Sequence, residues 1–291
     1  MTGPVPLKKA AGLANAERQG LARGCGRNCA RHYGADVYKE DGMAGTVERN
    51  GFRFIPGAFQ YSNGVAALPG FTIRRVRFAK PVPLVDGFQR IEAYLRDGKL
   101  PLTAFCACEL RSPAPFTDQG FIDFNRHYAG TLQGWGVMEG EVNPVARSNV
   151  CPEWDKPAGP SFHAFSIAVP QDDAPPSFVI AGSAESRAGT GPYQDRIVRY
   201  GETTPDAMGE KLRHVVGQMD QRMAGLDVDW GMATGTQIYC VHDIYPNLAS
   251  DIVEKGAAAH GVDWHFCRPP VIGLEFEMDC RAVFDERVLP V

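Results

Sequence analysis

No stretch of this 291-residue chain holds the roughly 18–20 consecutive apolar residues that a membrane-spanning helix needs. The first residues lack the apolar core of a secretory signal, so the mature chain is expected to start near Met1 and to work in the reducing cytoplasm. A basic excess is also missing: 30 Lys and Arg stand against 34 Asp and Glu, a formal net charge of −4. That removes the general electrostatic footprint of a nucleic-acid binder. Histidine is scarce, at 7 residues, and the 8 cysteines do not form a disulfide framework. Several cysteines sit inside apolar, strand-like runs, where cysteine behaves as a small hydrophobe. Cys25, Cys29 and His32 fall one ligand short of a zinc set and lack its paired spacing, so no metal is expected.

What is present is an ordinary globular composition, 44% apolar and 22% charged, long enough for about two domains. The most informative stretch lies near the C-terminus. From Leu274 onward, Leu274, Phe276, Met278 and Cys280 alternate with Glu275, Glu277, Asp279 and Arg281. This is a strand with one apolar and one charged face. Pro269, Pro270 and Gly273 punctuate the connection before it, and Arg268 closes the run that precedes them. A guanidinium beside carboxylates suits an acidic substrate and proton chemistry.

The rest of the chain is punctuated by similar local signals. Leu84, Phe88, Ile91 and Leu95 predict an amphipathic helix ended by Gly98. Thr117 is a plausible cap for a helix that buries Phe121, Phe124, Tyr128 and Leu132. Thr204 followed by Pro205 starts a helix whose stripe is Met208, Leu212, Val215, Met219 and Met223. Pro246 opens another, with Leu248, Ile252 and Val253 buried and Gly261 at its end.

The two halves share one order of elements. Arg147 and Arg268 lie 121 residues apart, and the helix stops Gly98 and Gly225 lie 127 apart. These markers predict an extension over 1–50, a first α+β domain over 51–170, and a second over 177–291, joined by a proline-rich linker. Each is expected to form a mixed sheet with two helices on one face. The uncovered face then needs a partner, which predicts a closed oligomer.

These residues resemble the Rid superfamily, the reactive intermediate deaminases (RidA/YjgF-like proteins). The resemblance rests on Asp229-Trp230, Tyr239, Asp243, the turn at Arg268 and Leu274-Glu275-Phe276-Glu277 in the second half. In the first half it rests on Tyr61-Ser62, Phe121, Asn125, Tyr128 and Arg147-Ser148. It implies two tandem chorismate-mutase-like domains assembled as a homotrimer. A two-copy chain of this length looks most like the 2-aminomuconate and 2-amino-5-chloromuconate deaminases. The resemblance implies that Arg147 and Arg268 hold substrate carboxylates. Glu277, or Asp279 with a slip of two residues, would position the water that hydrolyses an imine. Tyr61, Asn125, Tyr128, Ser148, Cys267, Glu275 and Asp279 would complete substrate binding. Two departures stand out: Phe162–Val169 carries no carboxylate, and Arg268 is followed by Pro269 rather than Ser.

The chemistry is coherent without the resemblance. An enamine tautomerises to an imine, water adds and ammonia leaves. The reaction needs a carboxylate clamp, one acid/base group and an ordered water, with no metal or organic cofactor. Desolvation beside a like charge raises one carboxylate toward working pH, and Glu275 shares a face with Glu277. The competing readings are a non-catalytic ligand-binding or regulatory protein of the same RidA-like fold, a ribonuclease, and a cysteine nucleophile (Cys151 or Cys267) paired with a histidine such as His127 or His265.

Overall fold

The computed structural model describes residues 45–189 and 191–291. Cys25, Cys29, His32 and most of the expected extension lie outside them. Strands β1 (Val47–Arg49), β2 (Phe52–Ile55), β3 (Gly64–Ala67) and the long β4 (Phe71–Pro83) lead into helix α1 (Leu84–Asp97). Then come β5 (Phe105–Arg111), α2 (Asp118–Gly134), β6 (Ala146–Pro152) and β7 (Ser161–Pro170). The second half contains β8 (Phe178–Ala184), the short α3 (Tyr193–Arg196), α4 (Pro205–Gly225) and β9 (Gly235–Cys240). It continues with α5 (Tyr245–Asp251), β10 (Asp263–His265), β11 (Cys267–Arg268), β12 (Phe276–Ala282) and β13 (Asp285–Leu289). Among the described residues no helix is long and apolar enough to cross a membrane.

The helices form where local chemistry directs them. Thr117 Oγ1 accepts a 3.1 Å bond from the Gly120 N–H, and Thr204 Oγ1 accepts one of 3.3 Å from Ala207. Each satisfies a donor that the first turn leaves open. Phe88, Ile91 and Leu95 of α1 are buried, as is the whole methionine-rich stripe of α4. The helix expected from Pro246 is instead α5 followed by two short 3-10 turns broken at Gly256. That glycine has φ +144°, and a Cβ there would lie 2.8 Å from the Trp230 backbone. Only glycine fits such a close approach at positive φ.

Strand pairing departs from expectation, and with it the fold class. One sheet runs β1-β2-β3-β8-β12-β9-β10, the other β11-β6-β5-β7-β4-β13. The expectation of two tandem chorismate-mutase-like domains, each with its own sheet and two helices on one face, is therefore incorrect. The halves exchange strands. Gly64 of β3 pairs with Ile180 of β8, and Asp285 of β13 pairs in parallel with Arg74 of β4. An open sheet edge presents unpaired N–H and C=O groups, and here segments from the opposite half pair with them. Helices α1 and α2 pack with β4, β5 and β7, while α4 packs with β8, β9 and β12.

A third buried cluster joins the sheets face to face. It takes Phe52, Val65 and Ala181 from one and Ile73, Cys106, Ala146 and Ala168 from the other. Small side chains let the two backbones approach closely. The charged face of β12 points into this junction: Glu277, Asp279 and Arg281 are 4%, 6% and 9% exposed. The face expected to need a second chain is covered within the chain itself.

Candidate functional site

A cavity of about 890 Å³ opens beside β6, the end of β8 and α4. Its wall includes Tyr61, Arg147, Gln218, Arg222, Tyr193 and Glu277. The size is ample for a small organic acid.

Arg147 enters from β6 and is buried. Its Nη2 donates a 2.6 Å hydrogen bond to Oδ1 of Asn125 on α2. Aromatic rings surround the guanidinium carbon, with centroids at 4.8 Å (Tyr128), 5.2 Å (Tyr61), 5.5 Å (Phe124) and 6.0 Å (Phe121). Such faces stabilise a cation without neutralising it. Among the described residues no carboxylate pairs with Arg147, and its Nε and Nη1 have no hydrogen-bond partner. A buried charge left with open donors is costly, and a carboxylate is the group that would satisfy it.

Glu277 enters from β12. Burial, and then the neighbouring Asp279 carboxylate, push its carboxyl up to about 8, against the pull of Arg147 and the Asn149 N–H. It therefore holds a proton at neutral pH. Asp279 is raised to about 6 by burial and by the Glu109 carboxylate, while Arg281 and the Tyr239 hydroxyl favour its charged form. The like-charged neighbour of Glu277 is thus Asp279 rather than Glu275. Gly182 of β8 leaves room for the carboxyl: a Cβ there would overlap Glu277 Oε1 and come within 3.0 Å of Ser148 Cα.

The remaining expected residues fall into two groups. Tyr61 lines the cavity, and Asn125 and Tyr128 stand behind Arg147. The Tyr128 hydroxyl lies 3.3 Å from Cys108 Sγ. Ser148 follows Arg147 on β6, against Gly182. Arg268 is elsewhere. Its strand pairs with β6, Arg268 opposite Cys151, and not with the last strand of its own half. Its Nε bonds Glu153 at 2.5 Å and its Nη1 bonds Glu275 at 3.3 Å. Glu275 in turn meets His242 Nε2 at 2.7 Å. Cys267 is buried with Val150 and Tyr239. Burial pushes its thiol up to about 11 and that of Cys151 to about 12, so neither is an activated nucleophile. His127 is exposed on α2, and His265 stacks on Tyr239 at 5.2 Å. Among the described residues no group of three or more His, Cys, Asp or Glu is placed to hold a metal ion.

The sequence reading missed Gln218 and Arg222. A signal for them existed: Lys211, Gln218 and Arg222 recur at spacings of 7 and 4 along the edge of the apolar stripe of α4. Gln218 Oε1 accepts from Ser183 Oγ, and its Nε2 donates to the Ser186 carbonyl at 3.2 Å. Lys211 forms a fully buried ion pair with Glu185 at 3.2 Å. Glu185 also accepts the backbone N–H groups of Glu275 and Phe276 at 2.7 and 3.1 Å, which fixes the start of β12. Arg187, from the irregular segment after β8, and Arg196, at the end of the four-residue α3, also line the cavity, and neither stretch is long enough to show a periodicity.

Residues 44–287 match the family described as 2-aminomuconate deaminase CnbZ. A 2-amino-5-chloromuconate deaminase of Comamonas testosteroni is 50% identical over 241 residues, which span 82% of this chain and 96% of that relative. Among solved structures, a chorismatase aligns over 82% of this chain and 79% of its own at 11% identity and a TM-score of 0.47. A cyanuric acid hydrolase aligns over 76% and 69%, at 11% identity and a TM-score of 0.37. With a family match that runs through both sheets and the cavity between them, and a relative half identical over nearly its full length, the chain belongs to the 2-aminomuconate deaminase CnbZ family.

Proposed function

We propose that the protein is an enzyme that hydrolyses the C–N bond of 2-aminomuconate or a chlorinated analogue and releases ammonia. The observation that carries this reading is that the unpaired guanidinium of Arg147 and the proton-bearing carboxyl of Glu277 line the same cavity. The activity named for the half-identical relative supports the substrate class.

Arg147 takes the carboxylate next to the amino-bearing carbon, with its planar fork held by Asn125. Glu277 donates its proton to the far carbon of the enamine, which leaves an iminium and a carboxylate. Water attacks the iminium carbon as that carboxylate accepts a proton from it, giving a carbinolamine. The regenerated acid protonates the amino group, the C–N bond breaks, and the hydroxyl proton returns to Glu277 as the ketone forms. The sum is enamine plus water to ketone plus ammonia, with the enzyme unchanged. A carboxyl near 8 suits a group that must give a proton and then retrieve it. The test is ammonia release from 2-aminomuconate generated in situ. Stoichiometric ammonia that disappears with Glu277→Gln is expected. A folded wild-type protein that binds the substrate and releases none would leave only a ligand-binding role.

A further inference from the structure

We propose that Arg222 binds the second carboxylate of the substrate, so that the cavity selects linear unsaturated dicarboxylates over monocarboxylates. This rests on the deaminase reading only in taking the substrate to be a muconate-like dianion.

Arg222 projects from the last turn of α4 into the same cavity as Arg147. Its Nη1 donates to the carbonyls of Ala181 and Gly182, at 2.8 and 3.3 Å. Those two bonds aim the head group along the end of β8, next to the glycine that makes room for Glu277. Among the described residues Arg222 makes no other hydrogen bond and no ion pair, so most of its fork is uncommitted. Other arginines are already paired: Arg75 with Glu109, Arg281 with Glu286, Arg199 with three carboxylates and Arg268 with two.

The other cavity arginines fit the role less well. Arg196 donates to the Arg187 carbonyl at 3.1 Å and its guanidinium lies 4.4 Å from the Tyr193 ring centroid. Arg187 is exposed. Burial depresses the Arg222 guanidinium, and Tyr61 and, once ionised, Glu277 oppose that effect. Because Glu277 is protonated at neutral pH, it neutralises neither cation. The wall therefore offers two guanidinium groups, Arg147 on a strand and Arg222 on a helix. A chain with a carboxylate at each end completes both.

The experiment is calorimetric binding of trans,trans-muconate and of sorbate, the same diene with a single carboxylate. It uses wild type, Arg222→Gln, Arg222→Lys and Arg147→Gln. Wild type should prefer muconate. Arg222→Gln should weaken muconate roughly 30-fold or more, as expected for a lost buried charge-assisted contact, and leave sorbate within about 3-fold. Arg222→Lys should show an intermediate preference, and it serves if the Gln variant folds poorly. Arg147→Gln should weaken both ligands. Equal losses of muconate and sorbate in the Arg222 variants, no loss at all, or a wild type without preference would overturn the clamp. Because nothing turns over in this assay, the two readings fail separately. Preference through Arg222 without ammonia release sinks the deaminase and spares the clamp; ammonia release with no role for Arg222 does the reverse.

Discussion

The Tyr239 hydroxyl donates a 2.9 Å hydrogen bond to Oδ2 of Asp279, one position along the same strand face from Glu277. Burial and the Glu109 carboxylate raise Asp279 to about 6, while Arg281 and that bond favour its charged form, and the Asp279 charge helps hold the proton on Glu277. Arg147, Arg111 and the Asn149 N–H act in the opposite sense. Asp279→Asn keeps an acceptor for Tyr239 but removes the charge. Without that repulsion the Glu277 carboxyl should ionise below about 8. The alkaline limb of kcat/KM should then move to lower pH, and a limb that stays in place would separate Asp279 from the proton chemistry.

Glu277→Gln should lower kcat by roughly 10²- to 10⁴-fold, with little change in KM. Its effect on stability has the opposite sign. The native carboxyl is raised to about 8, so the folded state keeps a proton that the unfolded chain releases near the usual carboxylate range. That contribution is fully present below the unfolded value and is lost as pH rises toward 8. Thermal melts at pH 5 and pH 9 should show the Gln variant gaining on wild type by a few kcal/mol on that order at the higher pH. Parallel curves would show that Glu277 does not hold its proton.

Gly182→Ala places a methyl against Glu277 Oε1 and within 3.0 Å of Ser148 Cα, which is backbone and yields only if β6 and β8 separate. Destabilisation of about 1–3 kcal/mol is expected, with a fall in kcat as Glu277 is displaced. Denaturant unfolding and turnover on one sample check both. An alanine variant with full activity would mean that the carboxyl has room to move.

Lys211→Met leaves Glu185 buried with its two backbone donors but no cation. Removing one member of such a pair costs about 3–5 kcal/mol. Burial already raises the Glu185 carboxyl, so protonation should relieve part of the loss in acid. Denaturant unfolding should therefore show a smaller deficit at pH 5 than at pH 8, and adding Glu185→Leu should recover stability. Equal deficits at both pH values would refute the ion-pair explanation.

The caps at Thr117 and Thr204 and the stripe from Met208 to Met223 were legible because they depend on neighbours a few positions away. The alternation of β12 grouped Glu277 with Asp279 on one face, but period 2 does not say that both faces are buried. Arg268 shows the same limit. Its place in the chain suggested pairing within its own half, whereas Cys267 and Arg268 pair with Pro152 and Cys151. Pairing across more than a hundred residues is settled by which open edge finds which strand, and no local pattern records it. Arg222 was overlooked for a different reason: the α4 stripe was read for apolar positions, while its polar edge carried the cation.

The strand exchange also bears on synthesis. The sheet begun by β4 gains its outer strand only from residues 285–289, and β1–β3 find their partner only after β8 exists. A ribosome that has made the first half has released β4–β7 with their two helices, but with the outer edge of β4 and the β3 edge of β1–β3 still unpaired. Such separations put the assembly among high-contact-order topologies, slow to form and exposed to intermolecular pairing meanwhile. Chains arrested near residue 170 should therefore be protease-sensitive, and cutting the chain between its halves should yield fragments that are soluble only when they are made together.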